Sequence, residues 1–202
     1  MKILETIKLG SKLLRKREIC SHILDSEILL SNVLNKSREK ILVNLDQKLN
    51  SRNILKFKKY IRRRSKNEPV AYILGEKEFW SKKFIVNKDT LIPRPETELL
   101  VEKLVKLFKG KKISILDIGT GSGCIILSLL SNLEKSVGLG VDVSNKAILI
   151  ANKNAKRHEL SNRVKFLNKS FESIFSKKFD LIVSNPPYIE TKNIKNLSED
   201  IK

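Results

Sequence analysis

Histidine and cysteine are scarce, with two of each among 202 residues. His22 and His158 stand far apart, and Cys20 and Cys124 show neither metal-ligand spacing nor a disulfide framework. A zinc site or a His-based catalytic dyad therefore has almost nothing to work with, and no metal is expected. No apolar run approaches the roughly 20 residues that a membrane span needs. The N-terminus, with Glu5 inside its first apolar stretch, carries no cleavable hydrophobic region. No membrane partner is expected, and the reducing cytosol is the default compartment.

Acid is in deficit too. Against 41 Lys and Arg stand 22 Asp and Glu, a net charge of +19. A surplus of that size suits a nucleic-acid surface, or a partner that lives on the ribosome. It suits equally well a chain rich throughout in Lys, Ile and Asn, the pattern an AT-rich coding bias gives. Charge alone names no partner.

Hydrophobic residues make up 41% of the chain, so a packed protein is expected, one full domain or two small ones. Residues 1–66 carry apolar positions at helical spacing: Ile3, Leu4 and Ile7, then Leu13 and Leu14, then Ile23 through Leu34. Asp25 and Ser26 fall near the start of the strongest helix, Ser37 precedes a short one, and Ser51 caps another that runs to Arg64. This is a bundle of four or five helices. Residues 67–94 are a connector with β structure, a hairpin in which Phe79-Trp80 and Phe84-Ile85-Val86 flank a Ser81-Lys82-Lys83 turn. A helix from Leu99 to Phe108 follows, with Pro95, Glu96 and Glu98 suited to its N-terminal turn.

From Lys111 the period changes. Strands at Ile113–Ile118, Val137–Val141, Val164–Leu167 and Phe179–Val183 alternate with helices at Ile125–Leu130 and Ser144–Arg157. Alternation at these lengths predicts an α/β fold, a Rossmann-like parallel sheet over 95–202 with helices on both faces.

Two constellations carry chemistry. Asp117-Ile118-Gly119-Thr120-Gly121-Ser122-Gly123 lies between the first strand and the first helix, where glycines let a ligand approach backbone N–H groups. Asp142 ends the next strand, where a carboxylate accepts hydrogen bonds from ribose hydroxyls. The spacing fits neither the dinucleotide fingerprint nor a Walker loop. Cys124, just past the loop, reads as a packing residue. The second constellation, Asn185-Pro186-Pro187-Tyr188, closes the last strand. Two prolines fix φ and donate no hydrogen bond, so the turn is stiff. It gathers an amide, carbonyls and an aromatic face, which suit a planar NH2 group.

Asp-x-Gly-x-Gly-x-Gly after a strand resembles the S-adenosylmethionine loop of Rossmann-like methyltransferases. Glu68-Pro69-Val70-Ala71-Tyr72-Ile73-Leu74-Gly75, Glu78-Phe79-Trp80 and Leu91-Ile92-Pro93-Arg94-Pro95-Glu96-Thr97-Glu98 join it with Asp142 and Asn185–Tyr188. Together they resemble the HemK-type release-factor glutamine methyltransferases over essentially the whole chain. The resemblance implies S-adenosylmethionine as cofactor, bound by Asp117, Gly119, Thr120, Gly121, Ser122, Gly123, Asp142, Phe171 and Asn185. Asp117 would lie near its methionyl end. The resemblance also implies methylation of the glutamine amide in the Gly-Gly-Gln motif of translation release factors. Asn185 and the Pro186 carbonyl would accept the two N–H bonds of that amide, Tyr188 would pack on its plane, and Pro187 would line the site. The helical region would dock the release factor, so nucleic acid enters only indirectly, through the ribosomal machinery.

Two departures from the family pattern stand out. An acid expected after the third strand is replaced by Ser170, leaving Phe171 to pack on the adenine. The chain stops 14 residues after Tyr188, with four strands readable where the family sheet has seven. A truncated methyltransferase domain is expected, with its fourth strand an open edge. Two rival readings remain: a nucleic-acid amino methyltransferase acting on adenine or guanine, and an inactive truncated remnant.

Overall fold

Buried apolar side chains collect into separate cores on the two sides of Leu74, and the computed structural model divides there. It describes residues 1–174 and 178–186. The first compact unit is residues 1–74; the second begins at Gly75.

The first unit is helical: α1 (Ile3–Arg15), α2 (His22–Leu34), α3 (Arg38–Leu42), α4 (Ser51–Arg64) and α5 (Val70–Leu74). On α1, Ile3, Ile7, Gly10 and Leu14 fall on one face and are buried. Gly10 permits a close crossing, since a Cβ there would meet Phe57 Cζ of α4 at 2.6 Å. Asp25 and Ser26 fall near the start of α2 as predicted, Asp25 in its first turn, and both are buried. Asp25 accepts from Arg64 Nε at 2.7 Å and from Ser21 Oγ at 2.8 Å. A buried charge pair is tolerated only when hydrogen-bonded in this way.

Two sequence expectations need correction here. Ser51 does not cap α4. Asn50 does, its side chain accepting from Asn53 N–H at 2.8 Å, and its extended backbone (φ −76°, ψ 161°) leaves Ser51 as the first helical residue. The helical unit also runs past residue 66. Arg63 donates to Glu68 and to the carbonyls of Tyr72 and Ile73 at 3.3 and 3.2 Å, holding α5 in place. Val70, Ile73 and Leu74 thereby join the helical core.

The second unit opens with the hairpin β1 (Glu76–Phe79) and β2 (Lys82–Ile85). Its turn is Trp80-Ser81, one residue ahead of the predicted position, with φ of 52° and 55°. Register explains the shift. Lys77 pairs with Phe84, so Phe79 and Phe84 share one face, both buried, with ring centroids 6.2 Å apart. A one-residue slip would turn Phe84 to the other face. Trp80 N–H donates to Glu98 Oε1 at 3.0 Å, in the first turn of α6 (Glu96–Phe108).

The sheet follows: β3 (Ser114–Ile118), α7 (Cys124–Asn132), β4 (Val137–Asp142), α8 (Asn145–Arg157), β5 (Val164–Asn168) and β6 (Leu181–Ser184). Ser144 caps α8 as predicted, accepting from Ala147 N–H. All four strands are parallel, in the order β5-β4-β3-β6. Two glycines let helix and strand side chains reach β4: a Cβ on Gly138 would meet Ile126 at 2.6 Å, and one on Gly140 would meet Phe166 at 2.5 Å. Among the described residues β6 pairs only with β3, and Ile182 is exposed. Among them, too, no helix is long and apolar enough to cross a membrane.

From β3 the chain moves one way to β4 and β5, then returns to place β6 on the opposite side of β3. This reversal is a topological switch point, and α/β sheets bind ligands outside the carboxyl ends of the strands there.

Candidate active site

The glycine loop and the described half of the second constellation, Asn185-Pro186, sit at these carboxyl ends. The glycine loop leaves β3, and Asn185-Pro186 leaves β6. Register sets them side by side: Ile118 pairs with Ser184, and Ser184 Oγ donates to the Ile118 carbonyl at 3.0 Å. Asn185 therefore follows β6 at the level where Gly119 leaves β3. Its Nδ2 donates to Thr97 Oγ1, in the first turn of α6, at 3.4 Å. Pro187 and Tyr188 lie outside the described residues.

The loop is held from β4. Thr120 N–H donates to the Val141 carbonyl at 3.0 Å, and Gly121 N–H to Asp142 Oδ2 at 2.9 Å. Asp142 Oδ1 accepts from Ser144 N–H at 2.9 Å, so its carboxylate is fixed between the loop and the start of α8. Gly119 has φ of +68° and open space where a Cβ would stand, which leaves its backbone approachable. Gly123 differs: a Cβ there would crowd Leu127 at 3.1 Å and Phe166 at 3.2 Å, so its smallness serves packing.

Asp117 is buried and accepts from Thr120 Oγ1 at 2.7 Å. Burial pushes its carboxyl up to about 7; the Thr120 hydroxyl opposes the shift and the Asp142 charge adds to it. A cation beside it would favour the charged form. Burial also pushes the Cys124 thiol up to about 12, so it is a packing group and not a nucleophile.

The end of β5 is tied to the same place. Asn168 Nδ2 and Lys169 N–H both donate to the Asp142 carbonyl, at 3.0 and 3.1 Å. Past them, Ser170 precedes a 3-10 turn, Phe171–Ile174, whose first residue is 45% exposed. A fixed carboxylate, that of Asp142, thus stands against the glycine loop, and an exposed aromatic residue follows β5. A cationic nucleoside cofactor such as S-adenosylmethionine fits this set: approachable backbone, a buried acid that a cation would ionise, a fixed carboxylate and a ring.

Sequence reasoning missed the role of Asn154. It is fully buried on α8 and bonded to the Ser122 carbonyl and to Ile85. Its signal was legible, because it interrupts the apolar face formed by Ala147, Ile150 and Ala151.

Residues 5–75 match the PrmC N-terminal domain family, and residues 94–201 match the methyltransferase small domain family. The release factor glutamine methyltransferase of Buchnera aphidicola subsp. Baizongia pistaciae is 43% identical over 202 residues, covering 100% of this chain and 72% of that protein. The chain belongs to the release factor glutamine methyltransferase family. A member from Leptospira interrogans is 41% identical over 209 residues, covering 98% of this chain and 71% of its own length. A bifunctional methyltransferase of Rickettsia conorii is 43% identical over 202 residues, but the match takes in 87% of this chain and only 38% of that longer protein. The chain thus spans about two fifths of the bifunctional relatives it matches, 38% and 41% of two of them.

Proposed function

We propose that this chain transfers a methyl group from S-adenosylmethionine to the side-chain amide nitrogen of the glutamine in the Gly-Gly-Gln motif of a translation release factor. The sulfonium cofactor supplies an electrophilic methyl group. Everything else is positioning, because an amide nitrogen is a weak nucleophile whose lone pair is delocalised. Asn185 Oδ1 and the Pro186 carbonyl accept the two N–H bonds of the substrate amide, and Tyr188 packs on its plane. The cofactor, held by the glycine loop, would supply the methyl group and keep the C–S electron pair, and the amide would lose one proton to water. Asp117 would balance cofactor charge, Asp142 would hold the ribose, and Phe171 would pack on the adenine where Ser170 replaces the family acid. Residues 1–74 dock the release factor, and the reaction belongs to the cytosol.

The observation that carries this reading is the pairing of Ile118 with Ser184, which sets Asn185 beside the Gly119 bend at the switch point. Asn185→Ala tests it, with a purified release factor and labelled cofactor. Methyl transfer at saturating cofactor is expected to fall by about 100-fold or more. Undiminished transfer overturns the role of Asn185. Methylation of bare RNA or DNA, with none on the release factor, overturns the substrate assignment.

A further inference from the structure

Asn154 stands 69 residues in sequence from Ile85 and 32 from Ser122, yet its amide joins both. Oδ1 accepts from Ile85 N–H at 2.7 Å, while Nδ2 donates to the Ile85 carbonyl at 3.0 Å and to the Ser122 carbonyl at 2.8 Å. The orientation of the amide is forced. Ile85 N–H is a donor and must face the oxygen; Ser122 C=O is an acceptor and must face the nitrogen. Both amide hydrogens are used, and the side chain has no exposure to water.

An apolar residue would fill this position on α8 with less desolvation, as Ala147 and Ala151 do on the same face. A buried amide is worth its desolvation when it fixes one arrangement of its neighbours. Those neighbours are informative. Ile85 ends the hairpin strand β2, and Ser122 lies in the glycine loop immediately before Gly123. Val141 and Asp142 hold the loop at Thr120 and Gly121, and Asn154 holds it at Ser122. Three consecutive loop residues are thus anchored, and the third anchor also grips the hairpin.

We propose that Asn154 is a positioning residue for the cofactor loop, clamping the Ser122 carbonyl to strand β2 so that loop and hairpin adopt one arrangement together. The inference rests on the reading of that loop as the S-adenosylmethionine site. It makes the hairpin, an element separate from the cofactor loop, responsive to cofactor occupancy.

The test pairs calorimetry with amide hydrogen exchange on the full chain. Asn154→Leu keeps the shape and removes all three hydrogen bonds. Leu133→Ala, a core change in the same unit, serves as the control for lost stability. Well below both unfolding midpoints, Asn154→Leu is expected to weaken S-adenosylmethionine binding about tenfold, the scale of one lost hydrogen bond to the loop. Leu133→Ala is expected to leave the affinity unchanged. In the parent, cofactor is expected to slow exchange of the Ile85 amide, a measurement that needs no variant to fold. Equal affinity in Asn154→Leu and the parent, an equal loss in Leu133→Ala, or an Ile85 amide indifferent to cofactor overturns the inference. A parent that shows no saturable heat overturns the cofactor reading itself, and this inference with it.

Discussion

At Asp117, burial that raises the carboxyl to about 7 makes its charge depend on what lies beside it. The folded protein holds this proton more tightly than the unfolded chain, whose carboxyl titrates near the ordinary 3.8. This group's contribution to stability is therefore greatest below about pH 4, declines as pH rises toward 7, and is flat above. A cationic cofactor reverses the preference by favouring the ionised form. Affinity for S-adenosylmethionine is expected to climb between pH 5 and pH 8, by up to about tenfold per unit below 7. Titrations in two buffers of different ionisation heat should reveal proton release near pH 6, and Asp117→Asn should abolish it. The Asp25–Arg64 pair makes a second case. Asp25→Ala removes the carboxylate that Arg64 Nε donates to, and a loss of about 1.5–3 kcal/mol, the scale of a hydrogen bond to a charged group, is expected in urea titrations followed by circular dichroism. None of this was visible from residue identity alone. The sequence places Asp25 near the start of a helix; only the crossing of α2 with α4 brings Arg64 to it.

Among the secondary-structure elements, the alternation of strand and helix after Lys111 was legible because period and buried pattern agree there, and β3, β4, β5 and β6 all form within a few residues of the expected spans. The hairpin turn was displaced by one residue because parity between Phe79 and Phe84, not the polar run Ser81-Lys82-Lys83, sets the register. The α4 cap moved from Ser51 to Asn50 because neighbouring residues were both good cap formers, and spacing alone does not choose between them. The glycine loop and Asp142 were readable as local motifs, whereas Asn154 acts across 32 and 69 residues and its partners have no local signature. The hairpin offers its own prediction. Ser81 occupies the left-handed region at φ of 55°, which glycine adopts without steric cost. Ser81→Gly should stabilise the protein by about 1 kcal/mol, read as a raised unfolding midpoint. Gly140→Ala should do the opposite, because its Cβ would stand 2.5 Å from the Phe166 ring; about 1–3 kcal/mol is expected to be lost.

Across the whole molecule, the net charge of +19 means that cations repel one another wherever acids are too few to separate them. Moderate salt screens that repulsion. The unfolding midpoint should rise by a few degrees between about 0.05 and about 0.3 M sodium chloride, and a fall would show that attractive pairs dominate. The two thiols have contrasting environments, with Cys20 exposed and Cys124 raised to about 12. A maleimide dye added to the native protein at neutral pH would therefore attach at a single place on the helical unit. Fluorescence could then follow a binding partner with no engineered attachment point, while denaturant would unmask the other thiol for counting.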